Sequence, residues 1–300
     1  MRQRPLRRHV LAALAAAGLL LGIVPTAAAD APSGRSGAAA PARVSVPPGS
    51  VVVGRGRVAS ASASAAAAAD GTVCNFGACY DYVAGRQYAD ASGAAVKLKI
   101  VRPELDPADL SSHSLHELAV ESADGSQIVE VGWTADRGLN GDATPHLFVY
   151  HWVDGQPTCY NGCGFVSTSS TVRPAMTLPV GTQRTFQINH VGTQWRLALN
   201  GKVFGYFPDS LWGGRFSRLG LVQAFGEVAS TTAPTCSDMG NGQFGKSASA
   251  SLISGFKLLN STTPVAFSML ATTPRLYSAA NITSTSFRLG GPGSGRCAAA

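Results

Sequence analysis

The chain has only five glutamates: Glu104, Glu117, Glu121, Glu130 and Glu227. Two of them interrupt apolar stretches. Glu130 sits in Ile128-Val129-Glu130-Val131-Gly132-Trp133, and Glu227 lies in Leu219-Gly220-Leu221-Val222-Gln223-Ala224-Phe225-Gly226-Glu227-Val228. A carboxylate flanked by valines is costly to bury without a partner. The face around Glu130 is therefore a wet groove, or something there manages its charge. Strand alternation sends Ile128, Glu130 and Gly132 to one face and Gln127, Val129, Val131 and Trp133 to the other, which makes Trp133 a core residue. The same period puts Leu221, Gln223, Phe225 and Glu227 on one face. Two carboxyls a few ångström apart share a proton; one pKa rises and the other falls, giving an acid and a base that activate water. The other three glutamates read more plainly. Glu104 lies in a proline-flanked surface loop, and Glu117 and Glu121, four apart, fit a solvated helical turn.

Other chemistries lack their residues. There is no Gly-x-Ser-x-Gly elbow, no Asp-Thr-Gly and no phosphate-binding glycine loop. His116-Glu117-Leu118-Ala119-Val120 is one histidine short of the zinc-protease motif, so a metal would lose a ligand. His146 and His151 fall on opposite faces of one strand and form no joint ligand pair. His113 reads as a surface or cap residue, or as a neighbour supporting the carboxyl pair. No metal and no cofactor is expected.

The elements that must position these groups read as strands. Val96–Val101 alternates with Lys97 and Lys99 outward, and Gln127–Trp133, His146–Val153, Thr185–His190, Gln194–Leu199, Lys202–Phe207, Leu219–Val228 and Ala248–Leu259 follow. Asn200-Gly201 is a hairpin signal. His113–Glu121 has helix-like content but is short. Short strands between Gly, Pro and Asn turns predict an all-β, two-layer antiparallel β-sandwich from residue 96 to 300.

The first 29 residues read as a secretory signal peptide: Arg2, Arg4, Arg7 and Arg8, an apolar run from Val10 to Val24, and Pro25-Thr26-Ala27-Ala28-Ala29 before the cut. The apolar run is short for a membrane span. Residues 30–95 read as a low-complexity linker or propeptide whose end is pinned by a disulfide. Removing the four signal arginines from 24 Lys+Arg leaves 20 against 17 Asp+Glu, a net +3. That balance gives no reason to propose a nucleic-acid partner. An even count of six cysteines in an exported chain reads as three disulfides, with 15 possible connectivities. The close pairs Cys74-Cys79 and Cys159-Cys163 suggest two local loops, which leaves Cys236-Cys297. The Ala-rich composition looks bacterial.

Several pieces of sequence, in order, resemble the neprosin family of glutamic peptidases: Val129-Glu130-Val131-Gly132-Trp133, Gly141-Asp142, His146-Leu147-Phe148-Val149-Tyr150-His151-Trp152, Cys159-Tyr160-Asn161-Gly162-Cys163-Gly164-Phe165-Val166, Val203-Phe204-Gly205-Tyr206-Phe207-Pro208, Phe225-Gly226-Glu227-Val228 and Met239-Gly240-Asn241-Gly242. The resemblance implies two stacked antiparallel sheets with a groove, and a secreted endopeptidase that cuts after proline in acid. It places the catalytic glutamates at Glu130 and Glu227. It also implies an inhibitory pro-domain, for which residues 30–95 offer a shorter segment. Gln223 is a candidate to support the oxyanion. Tyr160, Trp195, Tyr206, Trp212 and Phe225 are candidates to receive the proline ring. The expected substrates are proline-containing peptides or proteins, acted on by a monomer. The rival readings are a carbohydrate-active sandwich, which would also use two carboxylates, and a non-catalytic binding sandwich on the cell surface.

Overall fold

Alternating apolar residues bury one side of a strand, so strands of this kind must stack face to face. In the computed structural model, which describes residues 66–67 and 71–297, they do so as two antiparallel sheets. The strands, in chain order, are β1 (Ala66–Ala67), β2 (Val73–Asn75), β3 (Ala78–Ala91), β4 (Gly93–Lys99), β5 (His113–Glu121), β6 (Ile128–Asp136), β7 (Asp142–Val153), β8 (Gln156–Pro157) and β9 (Val166–Ser167). They continue as β10 (Gln183–Val191), β11 (Gln194–Leu199), β12 (Lys202–Pro208), β13 (Leu219–Ser230), β14 (Ser251–Leu259), β15 (Ser268–Ala271), β16 (Ser278–Thr283) and β17 (Ser286–Gly290). The first sheet runs β1-β2-β3-β13-β5-β6-β7-β8, with β15 also paired to β3. The second runs β16-β17-β14-β4-β10-β11-β12-β9.

The inner faces of the two sheets share one apolar cluster. Leu118, Val120, Val129, Val131, Trp133 and Val222 of the first sheet join Val96, Leu98, Phe186, Ile188, Trp195 and Leu197 of the second. Full burial of each large side chain here contributes about 1.5–3 kcal/mol. Trp133 belongs to this core as alternation requires, and its indole donates to the Lys99 carbonyl at 3.0 Å. A second cluster lies on the other face of the first sheet, among Tyr80, Tyr82, Leu115, Ala119, Phe148, Tyr150, Trp152 and Phe225. That second cluster surrounds the glutamates.

Turns follow their residue types. Asn200 and Gly201, at φ 50 and 80, join β11 to β12 in the left-handed conformation that a tight hairpin requires. All three disulfides form as the spacing suggested: Cys74–Cys79, Cys159–Cys163 and Cys236–Cys297, leaving no free cysteine among the described residues. They fit an oxidising, extracellular setting. No described helix is long and apolar enough to cross a membrane.

Two expectations change. His113–Glu121 is a fully buried strand at the centre of the first sheet, not a helical turn. The sandwich also begins well before residue 96. β3 pairs with β13 from Cys79 to Ala91, so its residues are integral to the site's sheet. The expected signal peptide and most of the expected linker lie outside the described residues.

Candidate active site

Strand register fixes how the glutamates meet. β5 lies between β13 and β6. In one row across these strands stand Gln223, Ala119 and Glu130; in the next Phe225, Glu117 and Gly132; in the third Glu227, Leu115 and Thr134. All nine share a face, because paired residues of a ladder point the same way and successive rows are two residues apart. Glu130 and Glu227 are thus opposite corners of a three-by-three block, and Glu117 is its centre. Tyr150 flanks Glu130 on β7, and Tyr82 flanks Glu227 on β3.

The glutamates on this face are buried. Glu117, Glu130 and Glu227 are each 0% exposed. Their surroundings differ, and the difference sorts their protons. His113, also on β5, places Nε2 2.7 Å from Glu227 Oε1. Its Nδ1 lies 3.7 Å from Asp136, too long for a hydrogen bond but close enough to be felt as charge. Burial lowers the pKa of His113. The hydrogen bond and charge of Glu227, together with Asp136 and Asp109, outweigh that and raise it above its ordinary value. Glu227 therefore faces an imidazole whose protonated form it favours.

Among the described residues no ion pair reaches Glu130. It accepts one hydrogen bond, from the Trp152 indole at 2.9 Å, and its Oε2 has no hydrogen-bond partner among the described residues. Burial, then the charge of Glu227, pushes its pKa well up, against the pull of Trp152. Glu117 is pushed well up by burial and by the charges of Glu130, Glu227 and Glu121. Neither of its oxygens has a hydrogen-bond partner among the described residues. One carboxyl thus lies against a histidine whose protonated form is favoured, and two are pushed towards their protonated forms, an arrangement able to offer both an acid and a base.

The other expected site residues divide. Gln223 is on the face and buried, but its amide donates to Glu121 Oε1, so it is engaged at the edge of the block. Phe225 is buried between Glu227 and Gln223. Tyr160 stacks on Phe148 with ring centroids 6.2 Å apart and donates to Asn140. Trp195 and Trp212 are not part of the site. Both lie in the inter-sheet core, their indoles donating to the carbonyls of Phe216 and Trp152. Tyr206 is on β12 of the second sheet, half-buried and facing away from the core that its neighbour Phe207 enters. Large aromatics alternate the same way whichever sheet they belong to, so spacing did not distinguish these positions. His146 and His151 do face opposite ways: His151 packs on Phe207 and Trp212, while His146 shares the face of Thr134.

Glu117, Glu121 and Trp152 were missed as site residues. For the two glutamates a signal was present, since Glu117 and Glu121 are an even number of positions apart; Trp152 is brought to Glu130 by the register that pairs it with Ile128, which the sequence does not carry.

The Neprosin family model matches residues 109–292, a span that contains the whole block. Solved structures with a similar arrangement include a Scytalido-glutamic peptidase bound to a peptide-based transition state analog. It is 9% identical over 71% of this chain and 98% of that one, with a TM-score of 0.39. An apo Crh5 transglycosylase is 16% identical over 50% of this chain and 56% of its own length, with a TM-score of 0.32. CG-16, a homodimeric agglutinin from chicken liver, is 13% identical over 49% of this chain and 92% of its own, with a TM-score of 0.29.

Proposed function

The chain belongs to the neprosin family of glutamic peptidases, and on that premise we propose that it is a secreted endopeptidase cutting after proline in acid, with Glu130 and Glu227 as its working pair. The observation that carries the reading is the asymmetry of two fully buried carboxyls on one sheet face. Glu227 lies 2.7 Å from an imidazole, and Glu130 accepts an indole N–H.

The roles follow from that asymmetry. Glu227, ionised beside His113, takes a proton from water as the water oxygen bonds to the scissile carbonyl carbon. Glu130, protonated, gives its proton to the leaving nitrogen as the C–N bond breaks. The products are a carboxylic acid ending in proline and a free amine. Glu227 returns its proton to solvent and Glu130 regains one from it. Raising pH through the elevated pKa of Glu130 removes the acid, and lowering pH until Glu227 is protonated removes the base. Activity is then bell-shaped in pH.

The test is a digest of a peptide library by the exported protein across acid to neutral pH. Cleavage restricted to the carboxyl side of proline at low pH supports the reading. Release of sugar from a polysaccharide with no peptide cleavage, or no hydrolysis of anything, refutes it.

A further inference from the structure

Glu117 stands where the proposed reaction would take place. It is the centre of the block whose opposite corners are Glu130 and Glu227. At ordinary strand spacing and rise, those two corner α-carbons are roughly 16 Å apart. A peptide bond whose carbonyl carbon is reached by water from Glu227, and whose nitrogen is reached by Glu130, therefore lies over Glu117. The local backbone makes room for that side chain. Its neighbour across the ladder on β6 is Gly132, where an added Cβ would meet the Glu117 Cα and Cβ at 2.7 Å and the His116 carbonyl oxygen at 2.2 Å. A structural carboxyl on a buried strand would bond to something. Glu117 is 0% exposed, and neither of its oxygens is hydrogen-bonded among the described residues.

We propose that Glu117 is a third catalytic carboxyl, a protonated side chain that donates a hydrogen bond to the carbonyl oxygen of the scissile bond. The inference rests on the reading of Glu130 and Glu227 as base and acid partners. As water adds, the carbonyl oxygen becomes an oxyanion. The Glu117 O–H strengthens its hydrogen bond to that oxygen without giving up its proton, and relaxes as the C–N bond breaks. A donor placed where charge develops in the transition state acts mainly on kcat. The groups around Glu117 favour its neutral form. Glu130 faces it from β6, Glu227 from β13, Glu121 from its own strand, and Tyr82 from β3 within range of its charge. His113, the cation-forming group nearest to it on β5, is engaged by Glu227, while Arg86 beside Gln223 and His146 beside Thr134 stand at the margins of the block.

Two variants of the full chain test this. Glu117→Leu removes the donor and replaces an unpartnered buried carboxyl by an apolar group. The expected result is a kcat on the proline peptide lower by about 10²–10³-fold with little change in KM, in a protein at least as resistant to urea as the wild type. Glu117→Gln keeps a neutral N–H donor of the same length. Its kcat falls by less than that of Glu117→Leu, and the alkaline limb of its pH profile loses one ionisation. A Glu117→Leu variant with wild-type kcat, while Glu130→Gln and Glu227→Gln have lost theirs, overturns this inference and leaves the pair intact. Activity retained in Glu130→Gln and Glu227→Gln overturns the underlying reading instead. Should Glu117→Leu not fold, Glu117→Gln decides alone: an unchanged alkaline limb overturns the proposal.

Discussion

Replacing His113 by glutamine removes the cation from Glu227 while keeping a donor of similar reach. At the Nε2–Oε1 separation of 2.7 Å, an imidazolium and a carboxylate attract by about 6 kcal/mol at an effective dielectric near 20. Desolvation offsets much of this, since the side chains are 1% and 0% exposed. Breaking such a buried pair by removing one partner costs about 3–5 kcal/mol. The full cost applies where Glu227 stays ionised. In acid the orphaned carboxyl takes up a proton and the cost shrinks. The wild-type pH dependence has a definite sign. The folded pKa of His113 lies above its ordinary 6.5, so the folded protein holds the extra proton. The stabilisation is complete below 6.5 and is lost as pH rises through the folded value. Urea unfolding of wild type and His113→Gln, in acid and at neutrality, measures both effects. The expected outcome is a deficit for the variant that is full just below 6.5, where the wild-type pair is complete, and that shrinks both as pH rises through the folded pKa of His113 and in stronger acid, where the orphaned carboxyl takes up a proton. In peptide hydrolysis the acid limb of the variant moves to higher pH, because Glu227 has lost the charge that keeps it ionised. Equal stability at both pH values, with an unmoved acid limb, would refute the assignment of Glu227 as the ionised base.

Other expectations are simpler. Cys236→Ser opens a link across 61 residues; loop-closure entropy predicts a loss of about 4 kcal/mol, read as a lower urea midpoint than in the disulfide-intact protein. Trp195→Phe leaves kcat unchanged, because Trp195 is in the inter-sheet core and away from the glutamates. It lowers stability by about 1–3 kcal/mol through the lost indole bond to Phe216 and the lost volume. A fall in kcat without a fall in thermal stability would contradict that placement.

Much of the fold was legible because period-two alternation and turn chemistry agree. β6, β7 and β10–β13 fall within a few residues of the stretches that alternation marks, and the Asn200-Gly201 turn is where its residues require it. The failure at β5 has a physical cause. A spacing of four is close to one helical turn and is also two full strand periods, so Glu117 and Glu121 share a face under either geometry. His-Ser-Leu-His-Glu-Leu-Ala lacks the β-branched residues that would have decided it. Pairing with β6 and β13 overrode the local preference. β3 was obscured differently: Tyr80, Tyr82 and Ala84 alternate correctly, but they follow a disulfide hairpin and an Ala-rich segment. For the site, sequence alone placed Glu130 and Glu227 on their faces. It carried no register, so it revealed neither that the faces coincide nor that Glu117 lies between them. Nor did it reveal that His113, 114 residues before Glu227, touches that carboxyl.

The central claim is that two buried carboxyls on one sheet face, one ionised and one protonated, hydrolyse a peptide bond. The most direct measurement is kcat/KM of Glu130→Gln and Glu227→Gln on a proline-containing peptide at the acid optimum. Circular dichroism and urea unfolding would establish that each variant retains the fold. Each single change is expected to abolish cleavage while the sandwich persists. Two folded variants that both keep cutting after proline would contradict it.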